Sequence, residues 1–425
     1  MKQESHTRWN FIVITADAAF FIGALAFVEP FAVLPVFIRT LTDSTIAIGI
    51  LITIQRAGWL LPQLPAASLL QHRPRKKPFL LLAATAGRLP FAFLAVVVYF
   101  WAGSNPALVL WLLMFSYAIF YATDGMSCLA WNDIIAKSIP ANFRGRLFGA
   151  QQFIGAAIAI SAGEVVRRVL AKEGLPYPAN YALLFAILFA GMMLSSFFLS
   201  LVREPLRPVA AEPQKVAQLL KMIPRALRER QDFRRMVWTQ SLVGVGSIAA
   251  PFYVIYAEKY LGAPPWVSGI FIWAGTVGGI VGSLAWAYLN DRHGSLRVIR
   301  GVCWLALLGP VAAILVPLFG LPAPLVYYAF AVVFALGAAG AGGNWIGFTN
   351  FLLEIVNDEE RAAFLGITPT LLAPMILMPL IGGLLLKVLP YEALFALAAA
   401  GGLAGWLASR TLREPRTVPL PLSGS

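Results

Sequence analysis

The sequence predicts an all-α integral membrane protein, with twelve transmembrane helices arranged as two pseudo-symmetric six-helix bundles. Composition is the first ground. The chain is 59% hydrophobic and only 12% charged, and its mean hydropathy of +0.75 lies beyond the range of soluble globular domains. The second ground is a series of apolar runs of about 20 residues, each long enough to cross roughly 30 Å of hydrocarbon as helix. The third is internal repetition. Leu201-Val-Arg-Glu-Pro205 returns as Thr411-Leu-Arg-Glu-Pro415, Arg144-Gly-Arg-Leu-Phe-Gly149 as Arg361-Ala-Ala-Phe-Leu-Gly366, and the basic turn His72-Arg73 as Asp291-Arg292, at offsets of 210, 217 and 219 residues. Offsets this close describe two tandem copies.

In chain order the expected spans are about 10–38, 45–70, 78–101, 106–135, 147–170, 180–202, 236–261, 266–289, 297–319, 324–353, 364–388 and 391–411. The first carries Asp17 and Glu29 and is too long for the apolar segment of a cleaved signal peptide, so it is expected to remain in the membrane. Turn-forming stretches such as Gly103-Ser-Asn-Pro106 and Leu321-Pro-Ala-Pro324 separate successive spans and leave no room for a soluble domain. The longest polar interval, Arg203 to Arg235, holds nine Lys or Arg against four acids. The expected division is therefore a first bundle at 1–202, a basic cytoplasmic linker at 203–235, a second bundle at 236–412 and a cytoplasmic tail at 413–425.

An even number of spans puts both termini on one side. With that side taken as cytoplasm, the inner segments carry 25 Lys or Arg, while the outer ones carry six: Arg39, Arg167, Arg168, Lys172, Lys259 and Lys387. The net charge of +13 is thus topogenic, as the positive-inside rule requires, and does not call for nucleic acid. The expected location is the plasma or inner membrane, multi-pass, with the lipid bilayer as surroundings and the protein acting as a monomer. Cys128 and Cys303 fall in different halves and make no disulfide framework, and His6, His72 and His293 lie outside the bilayer core, so neither a metal nor a cofactor is expected. No Gly-x4-Gly-Lys phosphate loop is present, which leaves ATP-driven transport unsupported.

Within the linker, Val216, Leu219, Leu220, Ile223 and Leu227 recur at helical spacing among basic residues. That pattern reads as an amphipathic helix on the inner leaflet, broken at Pro224, with a solvated basic tether as the plainer alternative.

Ionisable side chains at mid-bilayer cost several kcal/mol, so they face a partner or a cavity. Four lie deep in the first copy: Asp17, about 10 Å in from the cytoplasmic end of its helix, Arg56 and Arg88 near the midplane, and Asp124 in the inner half. Asp124, Ser127, Cys128 and Trp131 share one helical face, and Arg56, Trp59 and Gln63 share another. One reading makes these charges ion pairs that knit the bundle together. The other makes an acid the proton carrier, Asp124 first, then Asp17 and Glu29, with Arg56 and Arg88 as charge partners or anion-binding groups. Glu164, one turn before Arg167 and Arg168, is expected to pair with them. The second copy offers mild polar groups only. Gln240, Asn344, Trp273 and Trp345 join Gln63 and Trp131 as substrate-cavity candidates, and the glycines around them are read as packing positions first.

The loops resemble the major facilitator superfamily. Leu289-Asn-Asp291-Arg292-His-Gly294-Ser-Leu-Arg297 is similar to that family's signature after the eighth helix, with Ala287 where the family has its leading glycine. The first-half copy, Ser68 to Lys77, keeps the basic run but has His72 in place of the acid, and Ile139-Pro-Ala-Asn-Phe-Arg144-Gly-Arg146 is similar to the loop between helices four and five. Two features depart from the family's drug and sugar carriers. Tyr121 stands where a fourth-helix arginine is common, and Gly149, Gly155 and Gly163 come without the proline of the antiporter motif. The resemblance implies twelve helices, alternating access about a midplane site, and a gating role for Asp291, Arg292, Gly294 and Arg144. The expected function is secondary active transport of a small molecule, coupled to protons, with export of amphiphilic or drug-like compounds favoured. Import of a small organic anion or sugar, or uniport, is the alternative. A non-transporting sensor would need an extramembrane domain, and an embedded enzyme would need a catalytic cluster at one depth.

Overall fold

In a computed structural model of the chain, residues 2–70, 73–205, 216–357 and 360–415 are described, and all of their regular structure is helical. His72, Arg207, Gln214 and the tail beyond 415 lie outside the described residues, as do the side chains of Val216, Leu219, Leu220 and Lys221. Among the described residues, ten helical segments are long and apolar enough to cross a membrane. The two remaining expected spans are also built as helix. One is α3 (Thr45–Leu60) followed almost end to end by α4 (Gln63–Leu70), and the other is the 29-residue α7 (Ala141–Val169). By compactness the chain falls into two units, Met1–Pro213 with Pro264–Trp273, and Gln214–Ala263 with Ala274–Ser425.

The first unit is built from α1 (Lys2–Leu25), α2 (Leu34–Leu41), α3, α4, α5 (Lys77–Trp101), α6 (Pro106–Ser138), α7 and α8 (Ala179–Ser200). Its first span is interrupted between α1 and α2, where Pro30 cannot continue the hydrogen-bond ladder. Glu29 repairs the break. Its carbonyl accepts from Val33 and Leu34 at 3.0 and 3.2 Å, and its carboxylate accepts from the amides of Phe31 and Ala32 at 2.7 and 2.5 Å. One apolar core of this unit gathers Val13, Ile14, Leu80, Ile134, Ile135, Leu147 and Leu199.

The second unit contains α9 (Val216–Glu229), α10 (Gln231–Val245), α11 (Tyr253–Tyr260), α12 (Val267–His293), whose first residues belong to the other unit, α13 (Ser295–Leu315), α14 (Leu325–Ile355), α15 (Arg361–Leu372), α16 (Met378–Leu385) and α17 (Tyr391–Ser409). The seventh and eleventh spans are each interrupted by 3-10 turns, at Gly246–Ile248 and Ala250–Phe252 around Pro251, and at Ala373–Leu377 around Pro374. The two interruptions pack on each other: a methyl group at Gly244 would stand 3.1 Å from Met375, and one at Gly382 would strike the Ile248 carbonyl. Repetition also shows in the third span of each copy, where Pro90 and Pro310 lie inside α5 and α13.

The linker helix corrects one expectation. α9 continues through Pro224, and its apolar residues Ile223, Ala226 and Leu227 pack onto a core containing Phe233, Phe351, Leu352, Val356 and Phe364. The part of that face carried by Ile223, Ala226 and Leu227 therefore rests on protein. Arg230 adds an ion pair to Glu360, and Arg234 donates to the Leu227 carbonyl at 3.1 Å.

The twofold Arg-Glu-Pro echo also acquires a physical reason. The Glu204 carboxylate accepts from the backbone N–H of Lys76 at 2.9 Å and of Lys77 at 2.9 Å, closing the start of α5. Lys77 Nζ returns a bond to the Val202 carbonyl at 2.7 Å. In the other copy the Glu414 carboxylate lies directly over Gly294, the residue that begins α13, with φ +89. Each copy therefore ends by placing an acid on the positive end of its own third helix. The first helix of each copy holds the same segment. Asn10 exchanges two 2.9 Å bonds with the Arg203 backbone, and Arg235 donates to the Thr411 carbonyl at 2.9 Å.

Candidate functional site

Asp17, Arg88 and Asp124 come together in the first unit, held by α1, α5, α6 and α8. Asp17 is 4% exposed and Arg88 is 5% exposed. Asp17 accepts from the Ser195 hydroxyl at 2.6 Å and from the Trp131 indole N–H at 3.1 Å. Arg88 donates to the Met192 carbonyl at 3.0 Å and to the Ser196 hydroxyl, and its guanidinium lies 5.6 Å from the centre of the Phe21 ring. Both Asp17 and Asp124 act electrostatically on Arg88. Neither carboxylate comes within ion-pair distance of it among the described residues. The arginine is therefore held by neutral oxygens and an aromatic face, with two acids at longer range.

Asp124 differs from Asp17. It is half-buried and makes no hydrogen bond among the described residues, yet its backbone is tightly placed. A methyl group at Gly125 would collide with the Trp59 carbonyl of α3, one at Gly87 with Thr123, and one at Gly58 would stand 3.1 Å from Tyr121. These three glycines let α3 and α5 close on α6 at the depth of Asp124. Of the face-sharing residues expected beside it, Ser127 is turned back onto the Thr123 carbonyl at 2.7 Å and Trp131 is taken by Asp17.

Arg56 stands apart. It is half-buried on α3 with no hydrogen bond or ion pair among the described residues, and none of the acids acts on it. Glu29 is engaged with backbone amides, as described above. Glu164 pairs as expected, with Arg167 at 2.8 Å and Arg168 at 2.5 Å. Gln63 donates to the Trp59 carbonyl at 3.0 Å across the Leu61-Pro62 step. Trp273 belongs to the first unit, where its indole N–H donates to the Ile160 carbonyl of α7 at 2.7 Å. In the second unit Gln240 is half-buried with its carbonyl oxygen unpartnered among the described residues. Asn344 is half-buried, and Trp345 is 73% exposed.

Among the loop residues, Asp291 is exposed and touches the Asn290 amide at 3.5 Å, and Arg292 donates to the Tyr288 hydroxyl at 2.6 Å. Arg144 donates to the carbonyls of Ile139 and Ala136 at 3.1 and 2.9 Å, capping the last turn of α6. In the second copy Gly278 and Gly282 close on Ala335 and Ala339, and Gly343 closes on Trp286, whereas Gly337 meets nothing within 4 Å. Sequence reasoning missed Ser195, Ser196 and the Met192 carbonyl. Their only signal was a pair of adjacent serines in an otherwise apolar sixth span.

Residues 169–373 match the Major Facilitator Superfamily. That match covers 205 of the 425 residues, a little under half of the chain. Solved structures with the same fold include the nucleoside transporter NupG (TM-score 0.68, 15% identity, covering 95% of this chain and 99% of that one). A D-xylose–proton symporter is similar at TM-score 0.64 and 15% identity over 96% of this chain and 98% of that one. A bacterial homologue of the iron transporter ferroportin, in an inward-facing state, gives the same TM-score of 0.64 at 15% identity, with 96% and 98% covered. An uncharacterized protein of Mycobacterium tuberculosis and another of Mycobacterium bovis are each 27% identical over 335 residues, which is 74% of this chain. The chain spans 59% of the length of those mycobacterial relatives. At 15% identity these solved structures show a shared fold.

Proposed function

We propose that this chain is a major facilitator superfamily member and a proton-coupled secondary transporter working by alternating access, in the cell membrane with both termini and the basic linker in the cytoplasm. The observation that carries the reading is Asp124: an ionisable group inside the membrane, without a hydrogen bond among the described residues, and electrostatically tied to Arg88. A group of that kind can exchange a proton as its access to water changes, and Arg88 registers the change. Asp17, with two donors of its own, acts on Arg88 at longer range and is the second candidate. The D-xylose–proton symporter among the similar structures agrees with proton coupling on this fold.

The test is transport in proteoliposomes under an imposed pH gradient, screening labelled nucleosides, sugars, organic anions and amphiphilic drugs. For any compound that accumulates, Asp124→Asn should retain exchange and lose gradient-driven accumulation. Accumulation that survives in Asp124→Asn would reduce Asp124 to a structural neighbour of Arg88, and coupling would pass to Asp17 or be absent.

A further inference from the structure

We propose that the face of α3 carrying Arg56 and Trp59, with Gln63 at the start of α4, binds an organic monoanion with a flat apolar body, aryl carboxylates being the simplest such class. The inference deepens the transporter reading, in which the bound anion would be the cargo.

Charge allocation is the first support. Of the deep charges, both Asp17 and Asp124 act on Arg88, and Glu29 is spent on the amides of Phe31 and Ala32. Arg56 is left without an acid, a hydrogen bond or an ion pair among the described residues. It lies about 16 Å along α3 from Thr45, at 1.5 Å of rise per residue, which is beyond the reach of the headgroup region. A cation at that depth is retained where water or an anion reaches it.

The neighbours on the face supply the rest of the site. Trp59 follows Arg56 at three residues and shares its side of α3, and Gln63 opens α4 just beyond the Leu61-Pro62 step. The Trp59 ring is 39% exposed and offers an aromatic plane. Gln63 gives its amide N–H to the Trp59 carbonyl, which leaves its own oxygen as an acceptor. Meanwhile the α3 backbone is clamped to α6, Gly58 against Tyr121 and Gly125 against Trp59, so the face is a rigid platform. A guanidinium takes a carboxylate through two parallel N–H bonds, and an indole takes an aryl ring by stacking. A neutral isostere would gain the stacking but not the charge.

The experiment uses the purified full chain in dodecyl maltoside and titrates 2-naphthoate and its uncharged isostere 2-naphthamide by calorimetry. Wild type should prefer naphthoate at least tenfold. Arg56→Gln should bind the two alike, Arg56→Lys should keep part of the preference, and Trp59→Ala should weaken both ligands without changing their ratio. Size-exclusion profiles and melting curves identify variants that fail to fold, and Arg56→Lys stands in if Arg56→Gln does so. Equal binding by wild type, no binding of either compound, or a preference that survives Arg56→Gln would overturn the site. An anionic lipid headgroup is another source of the same charge. If phosphatidylglycerol abolishes naphthoate binding where phosphatidylcholine does not, Arg56 serves lipid and the proposal falls. The coupling reading is judged separately: should Asp124→Asn still accumulate substrate while Arg56→Gln loses the preference, coupling fails and the anion site stands.

Discussion

Replacing Glu204 measures what the repeated Arg-Glu-Pro ending contributes. The Glu204 side chain is 5% exposed and accepts from Lys76 N and Lys77 N at 2.9 Å each. Glu204→Ala leaves two shielded backbone donors at the start of α5 without their acceptor, at about 1–3 kcal/mol each. It also removes a negative charge from the helix N-terminus, worth about 0.3–1 kcal/mol. Because one carboxylate serves both donors the terms do not add fully, and about 3 kcal/mol is expected. Glu204→Gln keeps an oxygen for one donor and should cost about 1–2 kcal/mol. Lys137 contacts the same carboxylate only at 3.9 Å, so any part of the Glu204 effect that came from this ion pair would be under about 1 kcal/mol. The assay is equilibrium unfolding in mixed detergent micelles, followed by tryptophan fluorescence, on Glu204→Ala, Glu204→Gln and a Glu204→Ala/Lys137→Met cycle. The capping argument is refuted if Glu204→Gln is as damaging as Glu204→Ala, or if the cycle assigns most of the loss to Lys137. Glu414→Ala should repeat the pattern in the second unit.

Three further outcomes are expected. Gly125→Ala should destabilise by about 1–3 kcal/mol because its methyl meets the α3 backbone, which cannot rotate away. Gly337→Ala, with nothing within 4 Å, should be neutral or stabilising by up to about 1 kcal/mol, and the same unfolding assay reports both. Asp291→Asn should slow substrate exchange in proteoliposomes while leaving the melting curve unchanged; unaltered exchange would remove Asp291 from the gate. Reporter fusions at Gln214 and at Ser425 should both read cytoplasmic, and an external signal from either would reverse the proposed topology.

Much of this protein is legible in one dimension because the bilayer constrains it in one dimension. Span length, the side carrying basic charge and the depth of each ionisable residue depend on hydropathy and on a rise of about 1.5 Å per residue, and both can be counted along the chain. Tandem repetition likewise survives in short echoes, so the two-copy plan and the local pairing of Glu164 with Arg167 and Arg168 could be read without coordinates. Partners on the same helix, three or four residues apart, follow from its period alone.

Pairings between helices follow from packing. Asp17 meets Ser195 across 178 residues of sequence and Trp131 across 114, and no period relates such positions. Which side chains meet is decided by how closely the backbones approach, and that depends on glycines such as Gly58, Gly87 and Gly125 and on interruptions at Pro30, Pro251 and Pro374. The linker helix shows the same division: its amphipathic period was visible, but only the folded second unit supplied the apolar surface on which Ile223, Ala226 and Leu227 rest. The sequence thus determined the number, depth and chemistry of the membrane charges. Tertiary structure alone decided that both acids act on Arg88 and that Arg56 remains without one, because electrostatic partnership depends on distance in space and the chain order does not encode it.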